Sequence, residues 1–266
     1  MARLDENNVW KEIYTYTPEE REFERVVVGA FMNFEESIDI TKFVKEYGWD
    51  DARLTNLFSD VIWNNPQLFF VSAKNFSYLM MEYSDGELAE YRIIDYQYSI
   101  RKEEYSQRKA EIDLVVADAM GKLSGVTDLV EKARRLHDYI VRICEYDEKA
   151  AAEIDPSPLA RTVYSVLIRH KAVCEGYVMA YRYLLREAGI RSEEVFSDEM
   201  NHCWNYVQIG DKWYHVDVTF DDPIFAGKDP KTFPILYDYF LLSDEEITAM
   251  GHCGWKIGVP NTIQHR

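Results

Sequence analysis

Two alternating runs set around one glycine constrain this chain more than any other feature. Trp204 to Ile209 and Lys212 to Thr219 each carry the period-two pattern of a strand, and Gly210-Asp211 between them is a glycine-first two-residue turn. Pairing Ile209 with Lys212 fixes every other partner, so that Trp204 faces Asp217 and His202 faces Thr219. His202, Trp204, Tyr206, Trp213, His215 and Asp217 then share one face; Cys203, Asn205, Val207, Tyr214, Val216 and Val218 take the other. In this register His202 and Asp217 are diagonal neighbours within side-chain reach. A slip of one residue would send Asp217 to the opposite face.

A helix is expected just upstream. Val178, Tyr181, Leu184, Leu185 and Ala188 follow helical spacing, and Gly189 suits the position that ends the helix. Cys174 therefore lies in the first turn, where unpaired backbone N–H groups and the helix dipole favour negative charge. A thiol becomes a useful nucleophile only as a thiolate, and an imidazole beside a helix N-terminus promotes that state. The imidazole in turn needs a carboxylate to fix its tautomer. Cys174, His202 and Asp217 are thus the candidate catalytic residues. Gly176 is unfavourable for helix propensity and is expected to admit the backbone of a substrate.

A competing reading is a metal site. Cys174, His202, Cys203 and His215 have the composition of a zinc set, but their spacing matches no zinc pattern and Cys203 points away from the histidines. No metal and no cofactor is expected. Nothing resembles an EF-hand loop, so calcium through that motif is not indicated. His215 reads as packed, His137 and His170 lie on helices, and His252 and Cys253 sit beside glycines with no identifiable partner.

Elsewhere Thr17-Pro-Glu-Glu20 is a capping box with proline at the first helical position. A second helix starts at Asp50 or Asp51 and ends at Asn65-Pro66, followed by a strand over 68–71. Phe76 to Tyr83 and Leu88 to Ile94 flank a hairpin turn at Ser84-Asp-Gly86. A charged helix from about Arg101 to Met120 precedes another capped by Thr127, and Ser157-Pro158 opens one reaching about His170. The expected organisation is an N-terminal α+β region over 1–100 and a catalytic domain over 101–266.

The formal charge of −17, from 47 acidic and 30 basic residues, excludes a partner that is tracked by its phosphates, so no nucleic acid is expected. No stretch reaches the roughly 18 continuous apolar residues of a membrane span. The N-terminus, Met1-Ala-Arg-Leu-Asp-Glu-Asn-Asn8, lacks the apolar core of a signal peptide, which as it stands implies a cytoplasmic protein, or a secreted or surface one if a leader was removed. Four cysteines without a CxxC pair point to free thiols rather than a disulfide framework.

At three places these residues resemble the transglutaminase-like superfamily, whose fold is related to papain-type thiol proteases. Cys174-Glu-Gly-Tyr177 resembles its cysteine–glycine–aromatic helix start. His202-Cys-Trp-Asn205 and Lys212-Trp-Tyr-His-Val-Asp217-Val-Thr219, with Asp221-Asp-Pro223 after it, resemble its histidine and aspartate strands. Leu136-His-Asp-Tyr-Ile140, Tyr146-Asp147 and Leu167-Ile-Arg-His-Lys171 extend the likeness over about 127–250, with His170 where such sequences often carry glycine. The region from Ile38 to Phe69 resembles the N-terminal part of some bacterial transglutaminase-domain proteins.

The resemblance implies an α+β fold: a papain-related core with an antiparallel sheet packed on helices, plus the small N-terminal region. It also implies Cys174 as nucleophile, His202 as base then acid, Asp217 as orienting carboxylate, and Gly176, Tyr177 and Trp204 against the substrate. The reaction implied is hydrolysis or acyl transfer at amide bonds of a protein or peptide, through a thioester on Cys174. The rival from another class is a catalytically silent protein- or peptide-binding module that retains the fold. Oligomeric state is not fixed by the sequence.

Overall fold

The Thr17 hydroxyl accepts from the Glu20 N–H while the Glu20 carboxylate accepts from the Thr17 N–H, so helix α1 (Pro18–Asn33) opens on the full capping box that the sequence predicts. The structure is a computed structural model, and it describes residues 16–72, 76–152, 158–222 and 234–257. The segment Met1 to Asn8, Ser157 and Pro223 lie outside the described residues. The chain divides into two compact units at Tyr105/Ser106.

In the first unit α1 buries Phe23, Val27, Val28 and Phe31. After it come β1 (Ile38–Asp39), α2 (Thr41–Tyr47), α3 (Asp51–Asn64, capped by Asp50), β2 (Val71–Ser72), β3 (Ser77–Glu82), β4 (Leu88–Ile94) and β5 (Gln97–Tyr98). The hairpin β3–β4 turns at Gly86, whose φ of 86° suits glycine. Strands β1, β4 and β3 form one antiparallel sheet in that order, and β2 pairs with β5. The strand expected over 68–71 is shorter: Pro66–Leu68 is a 3₁₀ turn, and extended structure begins at Val71. Aromatic rings fill this core, Phe23 edge-on to Phe43 at 5.1 Å and Phe34 stacked on Phe70 at 4.7 Å.

Helix α4 (Lys102–Gly121) leads into the second unit. There α5 (Leu129–Ile143) is capped by Asp128, which accepts from the Glu131 N–H, one residue past the expected Thr127. Then come β6 (Glu145–Tyr146), α6 (Glu148–Ala152), a π-helical turn over Ser165–Arg169, β7 (Lys171–Ala172), α7 (Cys174–Glu187), β8 (Ser192–Ser197), β9 (His202–Ile209), β10 (Lys212–Val216), β11 (Phe240–Leu242), α8 (Asp244–Ala249) and β12 (Trp255–Ile257). His170 closes the π-helical turn at φ 58°, exposed, in the left-handed region where glycine costs least. None of the described helices is long and apolar enough to cross a membrane.

The central sheet is antiparallel in the order β11-β10-β9-β8-β12. Its hairpin keeps the register read from the sequence, from Lys212 opposite Ile209 to Val216 opposite Asn205. Strand β10 stops at Val216, three residues short of the expected Thr219. Helix α7 packs on the face that carries Asn205, whose amide donates to the Val178 carbonyl at 3.1 Å.

Gly176 lies buried in the first turn of α7, facing the chain itself rather than open space. A Cβ there would stand 2.8 Å from the Ala172 Cβ and 3.1 Å from the Ala160 carbonyl oxygen. Helix propensity alone favours alanine over glycine by about 1 kcal/mol. The clash is with a methyl group and a backbone oxygen, neither of which can rotate away, and such overpacking costs about 1–3 kcal/mol. Gly176→Ala is therefore expected to lower the melting temperature; a rise would show that helix propensity outweighs the contact.

Candidate functional site

Asp217 sits one residue past the end of β10, where its N–H donates to the Tyr239 carbonyl at 2.9 Å. Its carboxylate then folds back over the turn and accepts the N–H groups of Thr219 and Phe220 on Oδ1, at 3.0 and 3.1 Å. The residues read as the last of a strand thus form the turn that aims Asp217. Its Oδ2 accepts from Nε2 of His202 at 2.6 Å, and the carboxylate is fully buried. Burial opposes ionisation, but the His202 charge and hydrogen bond outweigh it and draw the Asp217 pKa down to about 2.

His202 opens β9 after a turn in which Asn201 takes φ 47°. Burial would lower its pKa, yet the Asp217 charge and hydrogen bond, with the Cys174 sulfur on its other side, raise it to about 10. With Nε2 committed to Asp217, Nδ1 is the nitrogen left for Cys174. Cys174 is half-buried at the start of α7, behind Val173 as the capping position. Its pKa lies well below the ordinary thiol value. The Cys203 thiol, donating to the Cys174 sulfur, is the largest cause. The His202 ring with its charge and the Cys203 N–H add to it, against the cost of burial. The structure therefore brings Cys174, His202 and Asp217 together.

Two neighbours differ from the sequence reading. Cys203 does point away from His202's face of the sheet, but α7 lies on that other side, so the thiol meets Cys174 inside the site. His252, read as lacking a partner, donates from Nε2 to the same Asp217 Oδ2 at 2.9 Å and packs edge-on to Trp204 at 4.7 Å. Only its glycine neighbours hint at this: Gly251, at φ 98°, turns the chain after α8 and brings His252 inward.

The three residues expected against substrate are all buried. Trp204, 1% exposed, donates from Nε1 to Nδ1 of His215 at 2.9 Å, and its ring stacks under His202 at 5.7 Å. Tyr177, also 1% exposed, donates its hydroxyl to Asp222 at 2.6 Å. Gly176 lets the Ala172 methyl group and the Ala160 carbonyl close on the helix. In this conformation they support the site from within. The aromatic that reaches solvent beside the His202 ring is Phe220, 43% exposed and 4.9 Å from it. His137 is a core residue, bonded to Asp138 at 3.2 Å and Asp221 at 3.1 Å.

Among the described residues, His202, Asp217 and His252 offer atoms close enough to hold a metal, within 4.8 Å of one another. Nε2 of each imidazole lies at hydrogen-bond distance from the one Asp217 oxygen, at 2.6 and 2.9 Å.

A family model for the transglutaminase-like superfamily matches residues 117–218. The chain is similar to kyphoscoliosis peptidase of Homo sapiens, 30% identical over 146 residues, which cover 50% of this chain and 21% of that protein. The Mus musculus protein of the same name is 29% identical over 125 residues, covering 42% and 18%. The matches thus span about a fifth of each relative's length. A solved structure described as that of a TGase is similar with 17% identity and a TM-score of 0.39, over 62% of this chain and 49% of its own. The residues that match the family model, 117–218, include Cys174, His202 and Asp217.

Proposed function

We propose that the second unit is a thiol enzyme acting on amide bonds of proteins or peptides, with Cys174 as nucleophile, His202 as acid and base, and Asp217 as orienting carboxylate. One observation carries this reading: the half-buried thiol at a helix N-terminus touches an imidazole whose far nitrogen is held at 2.6 Å by a fully buried carboxylate. That is the arrangement which keeps a thiolate beside an imidazolium near neutral pH. The name of the peptidase relatives agrees with action on peptide bonds.

In the reaction proposed, the Cys174 Sγ bonds to the carbonyl carbon. The resulting oxyanion lies at the N-terminus of α7, where the Cys174 N–H is a donor. The C–N bond breaks as His202 gives its proton to the departing amine. His202 then takes a proton from water, or from a second amine, whose attack breaks the thioester and returns the sulfur as thiolate. Phe220, exposed beside His202, forms a wall against which an apolar side chain of the substrate rests.

Iodoacetamide labelling of the native protein from pH 4 to 9 tests the reading without a known substrate. Cys174 is expected to react fast below pH 7, and His202→Ala to remove that fast reaction. If Cys174 labels no faster than Cys144 or Cys253, the thiol is not activated and a silent protein- or peptide-binding module is the better account.

A further inference from the structure

The Asp217 carboxylate has two imidazole donors where orienting His202 needs one. His202 Nε2 lies 2.6 Å from Oδ2 and His252 Nε2 lies 2.9 Å from the same oxygen. His252 is 1% exposed, and its Nδ1 is buried without a hydrogen-bond partner. A carboxylate oxygen accepts, so the His252 proton that meets Oδ2 is carried on Nε2. Oδ2 consequently takes a donor from each of two rings.

We propose that His252 is a positioning residue for the thiol site, a fixed donor that aims the Asp217 carboxylate at His202 and takes up part of its charge. The inference rests on the reading of Cys174, His202 and Asp217 as the reacting group. A carboxylate facing His202 alone would hold the imidazolium proton more tightly, making His202 a poorer acid toward the departing amine. With His252 in place, the proton is held firmly enough to keep the thiolate and loosely enough to be given away. His252 comes from outside the 117–218 segment. The backbone delivers it: the His252 N–H returns to the Ile247 carbonyl at 3.2 Å after Gly251, and α8 is anchored by a capping box at Ser243.

Other ionisable groups face this cluster from each neighbouring element. They are Cys174 on α7, Cys203 on β9, His215 on β10, Tyr146 on β6 and Tyr239 before β11. Of these, Cys174 bonds His202 from its far side, and none supplies Oδ2 with the donor that His252 provides.

Nitrogen NMR of the histidine rings across pH 5 to 12 tests the proposal, with cysteine labelling run on the same samples. In the unaltered protein the His252 Nε2 is expected to show the shift of a protonated nitrogen hydrogen-bonded to the carboxylate at neutral pH. This measurement needs no variant to fold, and an Nε2 without a proton there overturns the proposal. In His252→Ala the His202 midpoint is expected to rise by about half a unit or more, as an anion that loses a donor gains proton affinity. His252→Gln, whose side-chain amide can donate from a similar place, is expected to restore it. Loss of packing alone would not move the midpoint in this pattern, so a folded alanine variant with an unmoved midpoint sinks the role given to His252. Slow labelling of Cys174 in the unaltered protein, by contrast, overturns the thiol-enzyme reading and the proposal with it.

Discussion

Asn in place of Asp217 is expected to abolish the fast low-pH labelling of Cys174 and to lower the melting temperature by about 10 °C. Both effects come from counting donors. The carboxylate accepts four: the Thr219 and Phe220 N–H groups on Oδ1, and His202 and His252 on Oδ2. An amide has one oxygen, so its NH₂ must face either the two backbone donors or the two imidazoles. If it faces the imidazoles, His202 can regain a partner only by turning its lone pair to the amide, which moves its proton to Nδ1. That nitrogen then cannot take the thiol proton, and a wrong tautomer in such a triad costs roughly four orders of magnitude in rate. Breaking a buried ion pair costs about 3–5 kcal/mol, and a domain of this size loses about 2–4 °C per kcal/mol. Labelling kinetics and a thermal melt of the same sample check both; fast labelling in the variant would remove Asp217 from the proposed group.

Asp222→Asn has the opposite character and acts through pH. Asp222 is 8% exposed and accepts the Tyr177 hydroxyl, and burial raises its pKa to about 7. An unfolded aspartate titrates near 3.9. Its stabilising contribution is therefore fully present below about pH 4 and is lost as pH rises through 7. His202, raised to about 10, repeats the pattern higher: its contribution is complete below an unfolded value of about 6.5 and is lost as pH rises through 10. Asp217, lowered to about 2, works the other way, adding stability above about pH 4 that is lost as pH falls through 2. Of the three, only Asp222 changes stability strongly between pH 4 and 6.5. The Asn variant, which keeps an acceptor for Tyr177, is expected to flatten the melting curve over pH 4–7 relative to the unaltered protein. The difference is on the order of a few kcal/mol across that window. Parallel curves would mean that Asp222 titrates normally in the folded chain.

The parts of this site that the sequence makes legible are those governed by local periodicity. A two-residue turn at Gly210 sets the pairing of Lys212 with Ile209, and the period of two carries it to Val216 without further information. The apolar stripe and Gly189 place the start of α7 at Cys174 for the same reason. Side-chain hydrogen bonds override the pattern at Asp217, where a turn closed on the carboxylate replaces the end of the strand. Long-range packing is not written in any period. Alternation puts Cys203 on its correct face, but no strand pattern says that the helix bearing Cys174 covers that face. His252 reaches Asp217 across 35 residues, on a loop without repeat or motif. The burial of Trp204 and Tyr177 is likewise a property of their neighbours: an indole N–H bound to His215 and a phenol bound to Asp222 both point inward.

The strand order β11-β10-β9-β8-β12 carries a consequence for how the chain is made. The meander of β8, β9 and β10 leaves a ribosome first, with an unpaired edge on each side. Among the described residues, these edges are covered by 240–242 and 255–257, later in the same unit. At the usual pace of synthesis that leaves the nascent sheet open for several seconds. An open edge is where another chain can add a strand, so this interval is when the protein is most exposed to mispairing and to chaperone capture. The same interval delays the site, because His252 emerges between the two capping strands and Asp217 lacks its full set of donors until then. A half-made molecule would thus carry the cysteine without the geometry that activates it.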